Sequence, residues 1–343
     1  MRFEISERLF HFRQPAGTSR GIYTTRRSWF VTVEDEAMPG AVGVGECAPL
    51  PRLSCDDLPD YMQVLEAMAA HVAACGAIDY DLLRPYPSML FGLETALMSL
   101  HSVDGVIYDT PFARGEAGIP INGLVWMGSY EEMRARMEEK LAQGFTCVKL
   151  KIGAIDFESE LDLVRRIRER FSPDDIELRL DANGAFPYED VLGRLERLSH
   201  YGIHSIEQPI RQRQWEKMAA VCRQSPIPVA LDEELIGVNI PAMKGDLLDT
   251  IRPAYIILKP SLHGGLHGTA EWIDMARQRG IGSWVTSALE SNVGLCAIAQ
   301  FAAHVYGCPP ALPQGLGTGQ LFTDNIEMPL DIIDDQLFYR HGK

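Results

Sequence analysis

Thr146-Cys147-Val148-Lys149-Leu150-Lys151 and, thirty residues on, Ile176-Glu177-Leu178-Arg179-Leu180-Asp181 read as two short strands. Residues 156–171 carry helical spacing between them, and 187–200 do so after the second. Upstream, Ser129-Tyr130-Glu131-Glu132 forms a capping-box start for a helix that stops at Gly144. Downstream, 203–208, 228–232, 255–259 and 281–287 repeat the strand pattern, each separated by a helical one. Alternation of this kind implies a parallel sheet with right-handed crossovers. With 121–124 ahead of the series and 312–314 behind it, eight strand positions are present. That number points to closure into a barrel rather than an open sheet.

The residues before this series have another texture. Segments 3–12, 28–33 and 41–47 read as strands whose connections are too short for crossovers, so antiparallel pairing is expected. Two Ala-, Leu- and Met-rich helical patterns follow at 56–75 and 88–103. The expected organisation is an α+β capping domain over 1–110, a catalytic barrel over 111–320, and a tail over 321–343 returning to the first lobe. The stretch 14–27, rich in Gly, Thr, Ser and Arg, reads as a loop. At 46% hydrophobic and 23% charged residues, the 343-residue chain has ample core for this plan. A formal charge of −15 argues against nucleic-acid partners, which require a basic face. No apolar run reaches membrane-span length, and Met1 to Pro15 lack the apolar core of a signal peptide. Seven cysteines without a Cys-x-x-Cys pair suit a reducing cytoplasm. The oligomeric state is not legible.

Chemistry-bearing side chains recur at one place, the C-terminal end of successive strands: Lys149 and Lys151, Asp181 with Asn183, Glu207, Asp232 and Lys259. From Lys151 the gaps are 30, 26, 25 and 27 residues, about the length of one βα unit of a barrel. The same rim is thus revisited once per unit. Period-2 geometry turns Lys149 and Lys151 to one side, and Arg179 with Asp181 likewise. Three carboxylates converging there repel unless a cation neutralises them, and an oxygen-only set open to water and substrate favours Mg²⁺. A lysine serving as base must be neutral, with its pKa lowered to about 7–8. A second cation at Lys149 and the metal both push that way.

This set resembles the enolase superfamily along nearly the whole chain. Val148-Lys149-Leu150-Lys151 is similar to the Lys-x-Lys motif of its muconate-lactonizing subgroup. The remaining motifs are Leu180-Asp181-Ala182-Asn183-Gly184, Ile206-Glu207-Gln208-Pro209, Leu231-Asp232-Glu233 and Leu258-Lys259-Pro260. The resemblance implies a (β/α)7β-type modified TIM barrel behind an N-terminal α+β capping domain. It makes Asp181, Glu207 and Asp232 the ligands of Mg²⁺, with Mn²⁺ a substitute, and Lys151 and Lys259 the catalytic pair. Within the subgroup, Gly45-Glu46-Cys47-Ala48-Pro49-Leu50-Pro51, Ser287-Ala288-Leu289-Glu290-Ser291 and the glycine-rich 315–319 are similar to the o-succinylbenzoate synthase family. The implied activity is a Mg²⁺-dependent syn dehydration, a lyase reaction of menaquinone biosynthesis, on a small cyclohexadiene carboxylate bearing a succinyl chain. An N-acylamino-acid racemase or another cycloisomerase is the alternative. Lys149, Arg179, Asn183, Ser287 and Gly315 are expected to bind substrate or orient the catalytic groups, Arg179 by holding Lys151. A dipeptide epimerase would be expected to carry Asp-x-Asp where 315–319 stands here.

Other features read more plainly. His263 and His267 stand four apart, but two glycines intervene and no Glu does, so loop or surface histidines are expected rather than zinc ligands. Met62 and Met68 read as core and Cys47 as a packing residue. The glycines of 315–319 lack the strand–helix context of a dinucleotide loop, leaving a tight turn or an anion cradle.

Overall fold

The computed structural model describes residues 1–18 and 21–340. Three antiparallel strands open the chain: β1 (Arg2–Thr18), β2 (Gly21–Glu34) and β3 (Val42–Cys47), in that spatial order. The β1–β2 ladder runs from Arg2↔Glu34 to Thr18↔Gly21, with an irregularity between His11 and Ala16. Most of 14–27 is therefore hairpin, not loop; Ser19 and Arg20 lie outside the described residues. The chain stays extended because Tyr23 and Arg26 turn inward and are buried, a signal that the Gly/Ser/Thr composition hides.

Helices α1 (Tyr61–Cys75), α2 (Tyr80–Leu83) and α3 (Pro87–Leu100) pack on this sheet. The first starts later than the apolar pattern suggests because Asp56 is used elsewhere. Its Oδ2 accepts from Ser88 N at 2.7 Å and Ser88 Oγ at 2.6 Å, satisfying an orphan amide in the first turn of α3. Close approach of β3 and α3 rests on glycine: a Cβ at Gly45 would lie 1.9 Å from the carbonyl oxygen of Gly92. Cys47 is buried, and Met62 and Met68 pack partly buried against the same core.

After β4 (Ile119–Pro120) comes the alternating series: β5 (Gly123–Val125), α4 (Tyr130–Ala142), β6 (Cys147–Lys151), α5 (Phe157–Arg170), β7 (Glu177–Asp181), α6 (Tyr188–Ser199) and β8 (Ser205–Glu207). It continues with α7 (Trp215–Gln224), β9 (Val229–Leu231), α8 (Pro241–Ile251), β10 (Tyr255–Leu258), α9 (Gly265–Gln278), β11 (Gly282–Val285) and α10 (Asn292–Tyr306). Strands β5 to β11 form one parallel sheet in sequence order. Ser129 and Glu132 close the expected capping box on α4. Leu163, Val164 and Ile167 of α5 are buried against the sheet, each contributing about 1.5–3 kcal/mol. The eighth position is reduced to two parallel bridges, Thr286↔Gly315 and Ile121↔Gln314, which join the two margins of the sheet.

The tail divides. Phe322 bridges to Phe12, and His11 pairs with Asp324 at 3.0 Å, so its first residues do return to the hairpin. Strands β12 (Leu330–Ile333) and β13 (Gln336–Tyr339) instead pair with β4 at the entry to the barrel.

The N-terminal elements are sealed to the barrel by buried charge. Glu46 of β3 accepts from Ser28 Oγ (2.7 Å), Ser291 N (2.9 Å), Ser291 Oγ (2.6 Å) and Gly294 N (3.0 Å), at the start of α10. Glu94 of α3 accepts from Leu266 N (2.7 Å) and His267 N (3.1 Å), at the start of α9. Arg26 donates to the carbonyl oxygens of Ala48, Pro49, Ala288 and Leu289. The two motifs at 45–51 and 287–291, far apart in sequence, are thus two sides of one seam.

Candidate active site

The C-terminal ends of β6 to β10 converge on one mouth. Lys149 and Lys151 come from β6, Asp181 ends β7, Glu207 ends β8, Asp232 follows β9 and Lys259 follows β10. Register places Lys151 beside Asp181 and Asp181 beside Glu207. Lys149 Nζ reaches both oxygens of Glu207 at 2.8 and 2.7 Å and Asp181 Oδ2 at 3.0 Å. Lys151 Nζ donates to Asp181 Oδ2 at 3.0 Å and Asn183 Oδ1 at 2.8 Å. Lys259 Nζ donates to Asp232 Oδ2. In strand order the two lysines Lys151 and Lys259 stand on either side of the three carboxylates.

Charge here is unbalanced. Burial raises the Asp181 carboxyl, but Lys149 and Lys151 outweigh it and hold Asp181 below the ordinary range. Glu207 goes the other way: burial, then repulsion from Asp181, lifts it well above 4.5 despite Lys149. Glu233, next to Asp232, is pushed up to about 7 by burial and by that neighbour. Burial also pulls Lys259 down, yet Asp232, Glu207 and Glu233 overcome it and keep the ammonium form favoured. Four carboxyl groups, Asp181, Glu207, Asp232 and Glu233, thus share the mouth with three lysines, and two of the four are pushed toward holding a proton.

Among the described residues no three His, Cys, Asp or Glu side chains already form a cation cage. The carboxylates lean instead onto the lysines. Asp232 Oδ1 and Glu233 Oε2 are buried there without a hydrogen-bond partner. An all-oxygen donor set, more carboxyl groups than lysines and orphaned buried oxygens fit a hard divalent cation.

The mouth opens into a cavity of about 310 Å³. Ser287 and Gly315 line it as expected, with Asn183. Leu50, Leu53 and Leu289 form an apolar wall, and Trp126 lies with its ring 5.8 Å from Lys151 Nζ. Trp126 was not singled out in the sequence, although it follows β5 at the same strand-end position as the other rim residues. Arg136 and Arg13 also line the cavity; Arg136 ties down the carbonyls of Trp126 and Met127, and Arg13 Nε donates to Gln320 O.

Arg179 does not join this set. It lies deeper, at the barrel floor, with Nε on Glu177 Oε1 at 2.6 Å and a terminal nitrogen on Pro313 O at 2.9 Å. Its guanidinium sits 4.1 Å over the ring of Trp284. It stands two positions before Asp181, one full pleat down, and its hydrogen bonds go to Glu177 and Pro313 rather than to Lys151. His263 lies in the turn before α9, a loop histidine as expected, but it is fully buried, and its Nδ1 accepts from the backbone N of Lys259 at 2.9 Å. Desolvation pushes this imidazole down to about 3. His267 is exposed enough to be a surface residue and stacks on Tyr80.

A family model described as Enolase C-terminal domain-like matches residues 132–331. The chain belongs to the enolase superfamily. Its likeness to the o-succinylbenzoate synthase of Desulfotalea psychrophila is 46% identity over 94% of each chain. The crystal structure of MenC from the same organism superposes with a TM-score of 0.84 at 41% identity, covering 98% of this chain and 99% of that one. The L-Ala-D/L-Glu epimerase of Bacillus subtilis is 27% identical, over 88% of this chain and 84% of its own. Family and donor set together support a divalent metal at this mouth.

Proposed function

We infer that this chain is an o-succinylbenzoate synthase, a lyase that dehydrates 2-succinyl-6-hydroxy-2,4-cyclohexadiene-1-carboxylate to 2-succinylbenzoate. The observation that carries the chemistry is the placement of two lysines, Lys151 and Lys259, on opposite flanks of three buried carboxylates. Likeness to the Desulfotalea enzyme over nearly the whole chain carries the substrate. We read residues 1–110 as the lobe that closes the mouth, with the tail 321–343 partly joined to it, and 111–320 as the catalytic barrel.

Asp181, Glu207 and Asp232 would hold Mg²⁺, preferred over Mn²⁺. Once bound there, the ion would draw charge from the substrate carboxylate and so acidify the adjacent C–H. Every proton is handled by the chain itself. Lys151, in its neutral form, takes the proton α to the carboxylate. The same amine then returns it to the departing hydroxyl, so a syn elimination needs only one acid–base group. Lys259, kept as an ammonium by its carboxylate neighbours, faces the other side and offsets the charge of the enediolate. Trp126 and the leucines exclude water around the ring, which strengthens both interactions. Aromatisation makes the overall step strongly downhill. A cytoplasmic enzyme fits the seven free cysteines.

The test is direct. Purified protein with Mg²⁺ is expected to form 2-succinylbenzoate from the cyclohexadiene acid, and to exchange the α-proton of N-succinyl amino acids far more slowly in deuterated water. Chelator should abolish turnover; Mg²⁺ or Mn²⁺ should restore it and Zn²⁺ should do so poorly. Rapid exchange of both enantiomers with negligible dehydration would make the chain a racemase. Full turnover in excess chelator would remove the metal from the reading.

A further inference from the structure

Glu233 is a buried carboxyl group at the mouth that the reaction above does not use. It begins a single 3-10 turn, Glu233–Leu235, directly after Asp232. That turn is pinned by Gln208, whose Oε1 accepts from the backbone N of Asp232 and of Glu234, both at 3.2 Å. Glu233 Oε1 accepts from Asn183 Nδ2 at 2.9 Å, and Asn183 Oδ1 accepts from Lys151 Nζ at 2.8 Å. Asn183 is fixed at its root as well: its φ is +44°, and its backbone N donates to Asp181 Oδ1 at 3.0 Å.

We propose that Glu233 is a positioning residue that aims Lys151 by dictating which end of the Asn183 amide faces it. The inference rests on Lys151 being the base. An Asn amide has one accepting and one donating end, and only the accepting end can hold a lysine N–H. Glu233 Oε1 stands at the amide nitrogen of Asn183 and accepts from it, which leaves the amide oxygen facing Lys151. Without that partner, the amide is free to present its NH₂ group to the lysine, which repels an ammonium and misdirects an amine. The other tether of Lys151 is Asp181, whose oxygens would be shared with the metal. Asn183 is therefore the tether set by the protein alone, and Glu233 sets Asn183.

The experiment compares Glu233→Ala, Glu233→Gln and Lys151→Ala with wild type on the cyclohexadiene acid, protonated and α-deuterated, over a Mg²⁺ titration. Misaiming a base by a fraction of an ångström up to 1 Å is expected to lower kcat by roughly tenfold to a hundredfold. KM and the Mg²⁺ concentration for half-activation should stay near wild type in Glu233→Ala. The deuterium isotope effect on kcat should rise, because proton removal becomes more fully rate-limiting. Glu233→Gln can pair with Asn183 in either amide orientation, so it should fall between Glu233→Ala and wild type. A merely structural role would not raise the isotope effect or rank the variants in this way. Wild-type kcat and isotope effect in both Glu233 variants, with Lys151→Ala inactive, overturns this inference alone. A change confined to Mg²⁺ activation also overturns it, in favour of a role at Asp232. An active Lys151→Ala variant overturns the underlying assignment of the base.

Discussion

Lys149 and Arg179 are neighbours in the β6–β7 ladder, both nearly sealed from water, yet their charges meet different ends. At the floor, Arg179 is matched by Glu177, a carbonyl and the face of Trp284, and His204 stacks on Tyr255 nearby. That arrangement leaves no carboxylate in surplus, although Arg179 Nη2 is buried there without a hydrogen-bond partner. At the mouth, Lys149 is raised: burial works against its charge, but Asp181, Glu207 and Asp232 together prevail. There the carboxylates outnumber their partners, and Asp232 Oδ1 is left bare. One barrel thus holds a cluster with a spare donor at the floor and one with spare carboxyl oxygens at the mouth. The mouth is where a cation has something to gain.

The contrast breaks most visibly at Lys151. Lys151→Ala is expected to remove the only group that moves protons, lowering kcat by about 10³ or more, while circular dichroism stays native. Lys259→Ala should lose about 10² to 10³ in kcat, on the order of 3–4 kcal/mol, as the enediolate loses its charge partner. Lys259→Arg keeps the charge without being able to act as a base, so it should retain more dehydration than the alanine variant. If the arginine variant is instead no better than alanine, Lys259 moves protons and the racemase alternative gains.

At the floor the expected effect is on folding, not on catalysis. Arg179→Met strands Glu177 and the Pro313 carbonyl, which should cost about 1–3 kcal/mol in urea unfolding, with KM for the folded fraction close to wild type. A rise in KM without loss of stability would show that the floor and mouth are less separate than their geometry.

The smallest effect sharpens the comparison at a third buried charge. Burial pushes Glu94 up to about 8. In the unfolded chain it ionises near 4.5, so between those values the folded state binds the extra proton. Stability from this group therefore falls as pH rises through that window. Over pH 6.5 to 7.5 the fall is about 1 kcal/mol. Glu94→Gln should flatten that part of the stability–pH curve; an unchanged slope would mean that Glu94 is ionised in the folded protein.

The barrel was legible because five consecutive strand ends, those of β6 to β10, carry a charged residue at similar spacing, so phase is visible without a structure. The mouth residues Lys149, Lys151, Asp181, Asn183, Glu207, Asp232 and Lys259 were found by that phase. Arg179 shares the phase of Asp181, but period alone does not say how deep a side chain sits, and one pleat decided its role. The hairpin over 14–27 was hidden because its inward residues, Tyr23 and Arg26, do not alternate strictly. The burial of loop residue His263 was not legible because the partner of its Nδ1 is a backbone amide, which spacing of side chains cannot reveal. Glu233 stood in the Leu231-Asp232-Glu233 motif but was given no role: it lies in a turn, and its partner Asn183 is 50 positions away.

The seam has a consequence for how such proteins can be recombined. Glu46 and Glu94 place carboxylates from the N-terminal elements on the first amides of two barrel helices, α10 and α9. A side-chain hydrogen-bond cap at a helix start is worth about 0.5–2 kcal/mol. Lobe and barrel are joined like mortise and tenon, each supplying what the other's interior lacks. A chimera that grafts a foreign lobe onto this barrel leaves buried amides at the starts of both helices without acceptors unless it also brings both glutamates at the same places. Exchange of specificity by swapping lobes is therefore limited less by the fit of the lid than by its joinery.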